Sequence, residues 1–124
     1  MIFYPENFDF YVKLDIVPYS YSRYNTDEVK KLCNKFVQNE CRLKSAVKVK
    51  LIFNLPEKLN TREKSQGVKK YYCKRPDLDN LSRGIINCLQ GVLWGDDKSI
   101  VSIFAEKLHS EKPSVELWAK YIGK

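Results

Sequence analysis

From Ala46 to Phe53 the chain places Val47, Val49, Leu51 and Phe53 at every second position. A period of two puts all four side chains on one face of an extended strand. Such a strand cannot stand alone in water, so the chain must supply neighbouring strands and a covering layer. It does. Phe8 to Val17 alternates in the same way, with Phe8, Phe10, Val12, Leu14 and Ile16 on one face. Val68 to Lys74, Ile100 to Lys107 and Val115 to Tyr121 predict three further strands, the last two joined near Lys112-Pro113. Between them the period changes to that of a helix. Val29, Leu32, Cys33, Phe36, Val37 and Cys41 follow one stripe, with Asn25 and Glu28 as a capping box. Leu81, Ile85, Cys88 and Leu89 form a second stripe, predicting a helix over about 80–90 with Gly91 as its stop. The expected order is β-α-β-β-α-β-β: an α+β fold with one mixed sheet packed with two helices, in a single domain spanning all 124 residues.

Composition narrows the class. At 44% apolar and 13% aromatic residues the chain can build a core. It contains no apolar run approaching the roughly 18 residues of a membrane span. The opening MIFYPENF lacks the basic and apolar stretches of a secretory leader, so a cytoplasmic protein is expected. The cysteines, Cys33, Cys41, Cys73 and Cys88, form no C-x-x-C, and His109 is the only histidine. That argues against zinc and for reduced core thiols. The net charge of +7 suggests a polyanionic partner.

The charge is uneven. Residues 56 to 76 hold seven Lys or Arg against two Glu, net +5 of the total. With Asn60, Ser65, Gln66 and Gly67 and no apolar period, residues 56–70 read as a mobile basic loop running into a strand. It leads directly to Asp77 and Asp79, and a second acidic pair follows at Asp96 and Asp97. A protein that only coats DNA has no use for that acidity, because it repels phosphate; a metal-dependent nuclease needs both signs. If the chain stays extended through Pro76-Asp77-Leu78-Asp79, both carboxylates share one face and the helix starts after them. The plainer reading makes Asp79 a helix cap and Asp77 a turn residue. A helix of about 16 Å and a return segment reaching up to about 20 Å let the second pair come back to the helix start. Three carboxylates meeting there would suit Mg²⁺, a hard cation that prefers oxygen ligands.

At these residues the sequence resembles the RusA family of Holliday junction resolvases. The matching run is K-R-P-D-L-D-N-L, the helix ending I-I-N-C-L-Q-G-V-L-W, then G-D-D-K-S-I-V, E-K and K-P-S-V-E, over roughly residues 72 to 117. The resemblance implies a homodimeric, Mg²⁺-dependent endonuclease (Mn²⁺ as a substitute) of bacterial or phage origin. It would resolve four-way junction DNA in recombination and repair by paired symmetric nicks. It carries catalytic and metal-binding roles onto Asp77, Asp79 and Asp97. Asp96 would bind the metal or orient it, and Asn80 would support the ligands from behind. Arg83 stands where the family often has Lys. Arg stays protonated, so it can clamp a phosphate but not act as a base, and that work would pass to solvent on the metal. Asn87 stands where an acidic residue is common. Lys69, Lys70, Lys74, Arg75, Lys98 and Lys107 are the candidate DNA contacts, Lys107 at a family position. Either Tyr71 or Tyr72 can stack on an open base, or sit half-buried in a strand. Trp94 is expected to pack and fix the acidic loop. The departures at Arg83 and Asn87 leave open a non-catalytic nucleic-acid-binding module, and the acidic pattern also suits a nuclease with another branched or RNA target.

Overall fold

The computed structural model of the chain describes residues 8–18, 26–34, 44–56 and 71–123. The elements are β1 (Phe10–Leu14), α1 (Thr26–Asn34), β2 (Ala46–Leu55), α2 (Leu78–Cys88), a short 3-10 turn (Asp97–Ser99), β3 (Ile100–His109) and β4 (Ser114–Gly123). The four strands form one mixed sheet in the order β1-β4-β2-β3. β4 pairs antiparallel with both β1 and β2, whereas β2 and β3 are parallel. Parallel neighbours cannot be joined by a hairpin, so the chain from β2 to β3 has to cross over, and α2 lies on that path. β3 and β4 follow one another in sequence but lie on opposite sides of β2.

The alternating residues of β2 are the centre of the core: Val47, Val49, Leu51 and Phe53 are fully buried. Phe10, Val12 and Leu14 of β1 extend that layer, while Tyr11 between them is exposed. Val29 and Cys33 of α1 and Leu81, Gly84, Ile85 and Cys88 of α2 close over it. Burial also raises the pKa of the Cys88 thiol, against a smaller lowering by Lys30. On the other face of the sheet, register brings Tyr11, Trp118, Lys50 and Phe104 into one row. The Lys50 ammonium lies 4.7 Å from the Trp118 ring centre and 5.6 Å from that of Phe104. No helix among the described residues is long and apolar enough to cross a membrane.

Several expectations change. The strand expected over Val68 to Lys74 is not a strand in its described part. Tyr71 makes one antiparallel bridge to Leu108, and the Tyr72 N–H donates to the Lys107 carbonyl at 3.1 Å. The chain then turns away, because Pro76 has no N–H for a ladder and the helix starts two residues later. Residues 68–70 lie outside the described residues, as do Asn25, Phe36, Val37, Cys41 and most of the basic loop. The second helix begins and ends two residues earlier than expected, at Leu78 and Cys88. Its stop is more gradual than a glycine directly after the last turn. Leu89 caps it, and Gly91 adopts φ +84 only after a further turn. Cys33 and Cys88 are buried free thiols as expected, but Cys73 is exposed.

Candidate active site

Asp77 sits at the N-cap of α2 with extended backbone (φ −70, ψ 143), and its carbonyl accepts the Leu81 N–H at 3.1 Å. An N-cap aspartate ordinarily turns its side chain back onto the first free N–H groups. This one makes no such bond, so capping does not use the Asp77 carboxylate. Asp79 lies in the first turn, not at the cap. Both side chains are exposed, and the helix N-terminus favours their negative charge. The preceding Arg75–Pro76 peptide bond is cis.

The second acidic pair reaches the same region through an anchored loop. Trp94 is fully buried, and its indole N–H donates to the Ile86 carbonyl of α2 at 3.0 Å. The Tyr121 hydroxyl of β4 donates to the Leu93 carbonyl at 2.7 Å, and the Gly91 N–H to the Trp94 carbonyl at 2.6 Å. Trp94 therefore does what its sequence position suggested. Asp96 caps the 3-10 turn, its carboxylate accepting the Lys98 N–H at 3.1 Å. Asp97 is the first residue of that turn.

A groove of about 590 Å³ joins the two regions, lined by Asp79, Ser82, Arg83, Ile86, Asn87, Asp97, Lys98, Ile100 and Ile103. It brings together Asp79, Arg83, Asp97 and Lys98 from the expected site. Asp77 and Asp96 stand outside its lining. Hydrogen bonding between the two neighbouring carboxyls is the first cause lowering the pKa of Asp96 and raising that of Asp97, whose carboxyl is raised further by its neighbour's charge. Two carboxylates so close favour a proton or a cation between them.

The donor set suits a hard divalent ion in kind, since it is all carboxylate oxygen. In number it is partial: among the described residues no three His, Cys, Asp or Glu side chains lie close enough together to hold a metal ion. Mg²⁺ is commonly bound by only one or two carboxylates, with waters and substrate phosphates completing its shell. Asp79 and Asp97 are the two carboxylates that line the groove.

Of the basic candidates, Lys98 is highly exposed, its ammonium 4.0 Å from the Asp96 carboxylate. Lys74 and Arg75 are exposed, while Lys69 and Lys70 lie outside the described residues. Lys107 is engaged otherwise: its ammonium donates to the carbonyls of Lys74 at 2.7 Å and Pro76 at 2.9 Å. Tyr71 is 53% exposed, whereas Tyr72 packs against the core and lies under the Lys107 ammonium at 5.7 Å. Asn80 is half-buried in the first turn of α2.

Sequence reasoning missed the groove's other walls, Ser82, Ile86, Ile100 and Ile103. A signal existed: Asp79, Ser82, Arg83, Ile86 and Asn87 recur at helical spacing, a second stripe beside the core-facing one.

A family model described as endodeoxyribonuclease RusA matches residues 11–118 of this chain. A protein of Bacillus subtilis (strain 168) described as "Uncharacterized protein YqaN" is 27% identical over 79 residues, covering 60% of this chain and 56% of the relative. The match thus spans little more than half the length of that relative.

Proposed function

The chain belongs to the RusA endodeoxyribonuclease family, and from that premise we propose that it is a structure-specific endonuclease resolving four-way DNA junctions. It makes paired symmetric nicks with the help of a divalent cation, Mg²⁺ in the first instance. The observation that carries the reading is the groove in which Asp79 and Asp97, from separate elements, face Arg83 and Lys98. Carboxylates alone would repel a phosphodiester, and cations alone would only hold it. Together they fit an anion approached through a metal.

Asp79 and Asp97 would hold the cation. Asp96 fixes Asp97 by capping the turn that Asp97 begins. Asp77, its side chain unused by the cap, stands at the helix start and would be a further carboxylate available to the ion. The ion supplies charge neutralisation and water activation. Arg83 and Lys98 grip the phosphate oxygens, Arg83 with a planar fork that matches them. Lys74 and Arg75 continue the positive surface beside the helix start, and Lys69 and Lys70 belong to the same basic stretch. Tyr71 presents a ring to the open centre of the junction. Two symmetric cuts call for two such sites related by a two-fold axis, hence a homodimer.

The test is cleavage of synthetic junction, duplex, flap and single-stranded substrates, DNA and RNA, with and without Mg²⁺. Paired nicks confined to the junction and requiring the ion are expected. Salt-sensitive binding with no cleavage at any divalent ion concentration would leave a binding module instead. Preference for a flap or an RNA would move the substrate.

A further inference from the structure

We propose that Lys107 is a positioning residue for the acidic site and not a DNA contact. The proposal rests on the nuclease reading above. Lys107 lies on β3, in register with the fully buried Phe53 of β2. Its position is therefore fixed by the centre of the sheet. Its ammonium donates to the carbonyls of Lys74 and Pro76, at 2.7 and 2.9 Å. Both distances are those of charge-assisted hydrogen bonds. Its own carbonyl accepts the Tyr72 N–H at 3.1 Å, and the Tyr72 ring lies 5.7 Å from the ammonium. One residue thus grips the Tyr72–Pro76 segment through both its main chain and its side chain.

That segment contains no regular element, and Cys73, Lys74 and Arg75 are exposed. Its end is Asp77, the N-cap of α2, with Asp79 two residues further on. Where the Pro76 carbonyl is held decides where the helix starts and where both carboxylates stand. An ammonium committed to two carbonyls has at most one donor left for a phosphate. Arg is no substitute, because a longer planar fork does not reproduce two bonds converging on one nitrogen.

The test compares full-length parent, Lys107→Met and Lys107→Arg. Met keeps the stem and removes the donors. Junction affinity and its salt dependence are expected to stay within about twofold of the parent, while single-turnover cleavage falls on the order of 10–100-fold, as for lost supports behind metal ligands. The divalent ion concentration for half-maximal cleavage should rise, a change that simple loss of stability at a temperature where the variant is folded does not produce. Lys107→Arg should behave like Lys107→Met. Weaker binding, a shallower salt slope and unaltered cleavage once DNA is saturated would overturn the proposal and make Lys107 a phosphate contact. Amide hydrogen exchange of residues 73–80 gives an activity-free readout: faster exchange in Lys107→Met is expected, and unchanged exchange overturns the tether. If the parent cuts no junction, the nuclease reading fails, yet the exchange comparison still decides whether Lys107 holds the loop. If Lys107→Met does not fold, the comparison is made on Lys107→Arg, whose unaltered cleavage and exchange would overturn the proposal.

Discussion

At the scale of single residues, neighbouring aspartates have separate tasks. Asp96 spends its carboxylate on the Lys98 N–H, and Asp97 is left to face the groove. Adjacency alone does not say which is which; the family resemblance names Asp97, and the turn geometry puts Asp97 on the groove. Lys107 makes the same point. Its type and place suggested a phosphate contact, and its contacts are two backbone carbonyls. Tyr11 offers a test of local electrostatics away from the groove. Its phenol donates to Glu116 at 2.9 Å, and its pKa is raised from 10.0 to about 12, first by partial desolvation of the otherwise exposed ring, then by that bond and the carboxylate's charge. A group whose folded pKa is raised contributes stability that is full below pH 10 and is lost as pH climbs through 12. Urea midpoints measured from pH 9 to 12 should therefore fall more steeply for the parent than for Tyr11→Phe. Equal slopes would contradict the Tyr11 assignment.

At the scale of elements, the site is a helix N-terminus, a loop tied to the same helix and the start of an edge strand. The helix and the strands were legible because their apolar periods differ, 3.6 against 2. The helix start was not. Propensity favours Asp79 as readily as Asp77 for a cap, and the choice is made by the tethered Lys74–Pro76 segment. The supposed third strand is absent from its described part, residues 71–74, for a related reason: the sequence there does not reveal that the chain must leave the sheet to begin a helix. The loop invites two tests. Gly91 has φ +84 and open space where a methyl group would stand, so Gly91→Ala should cost about 1–2 kcal/mol from backbone conformation alone. Denaturant melts measure it, and a cost near zero would contradict the assigned dihedral. Trp94→Phe removes the bond to Ile86 from a fully buried indole and should cost about 1–3 kcal/mol, since it leaves the half-buried Ile86 carbonyl without that donor. Its nuclease activity should fall further than its stability, because the same loop carries Asp97. Unimpaired cleavage by a destabilised Trp94→Phe would separate the loop from the chemistry.

At the scale of the whole molecule, a net charge of +7 conceals a subtraction. The acids that lower the total stand beside the basic surface and, with a cation bound, cease to repel DNA. The family was legible in the acidic spacing, 77, 79 and 97 with a helix between, because that spacing is tied to a fold. The groove's apolar walls on β3 were not, because nothing in the sequence says that Ile100 and Ile103 lie on an edge strand beside the helix. A two-fold pair of sites predicts a particle of twice 14.6 kDa by light scattering; a monomer that still makes paired nicks would contradict that arrangement. If the groove cuts DNA through Asp79 while other residues hold the substrate, binding and cleavage separate at that residue. Junction binding and Mg²⁺-dependent junction cleavage measured side by side for the parent and Asp79→Asn decide it. Asp79→Asn is expected to bind the junction at least as tightly as the parent and not to cut it; cleavage by Asp79→Asn at the parent rate would show that the cut does not pass through Asp79.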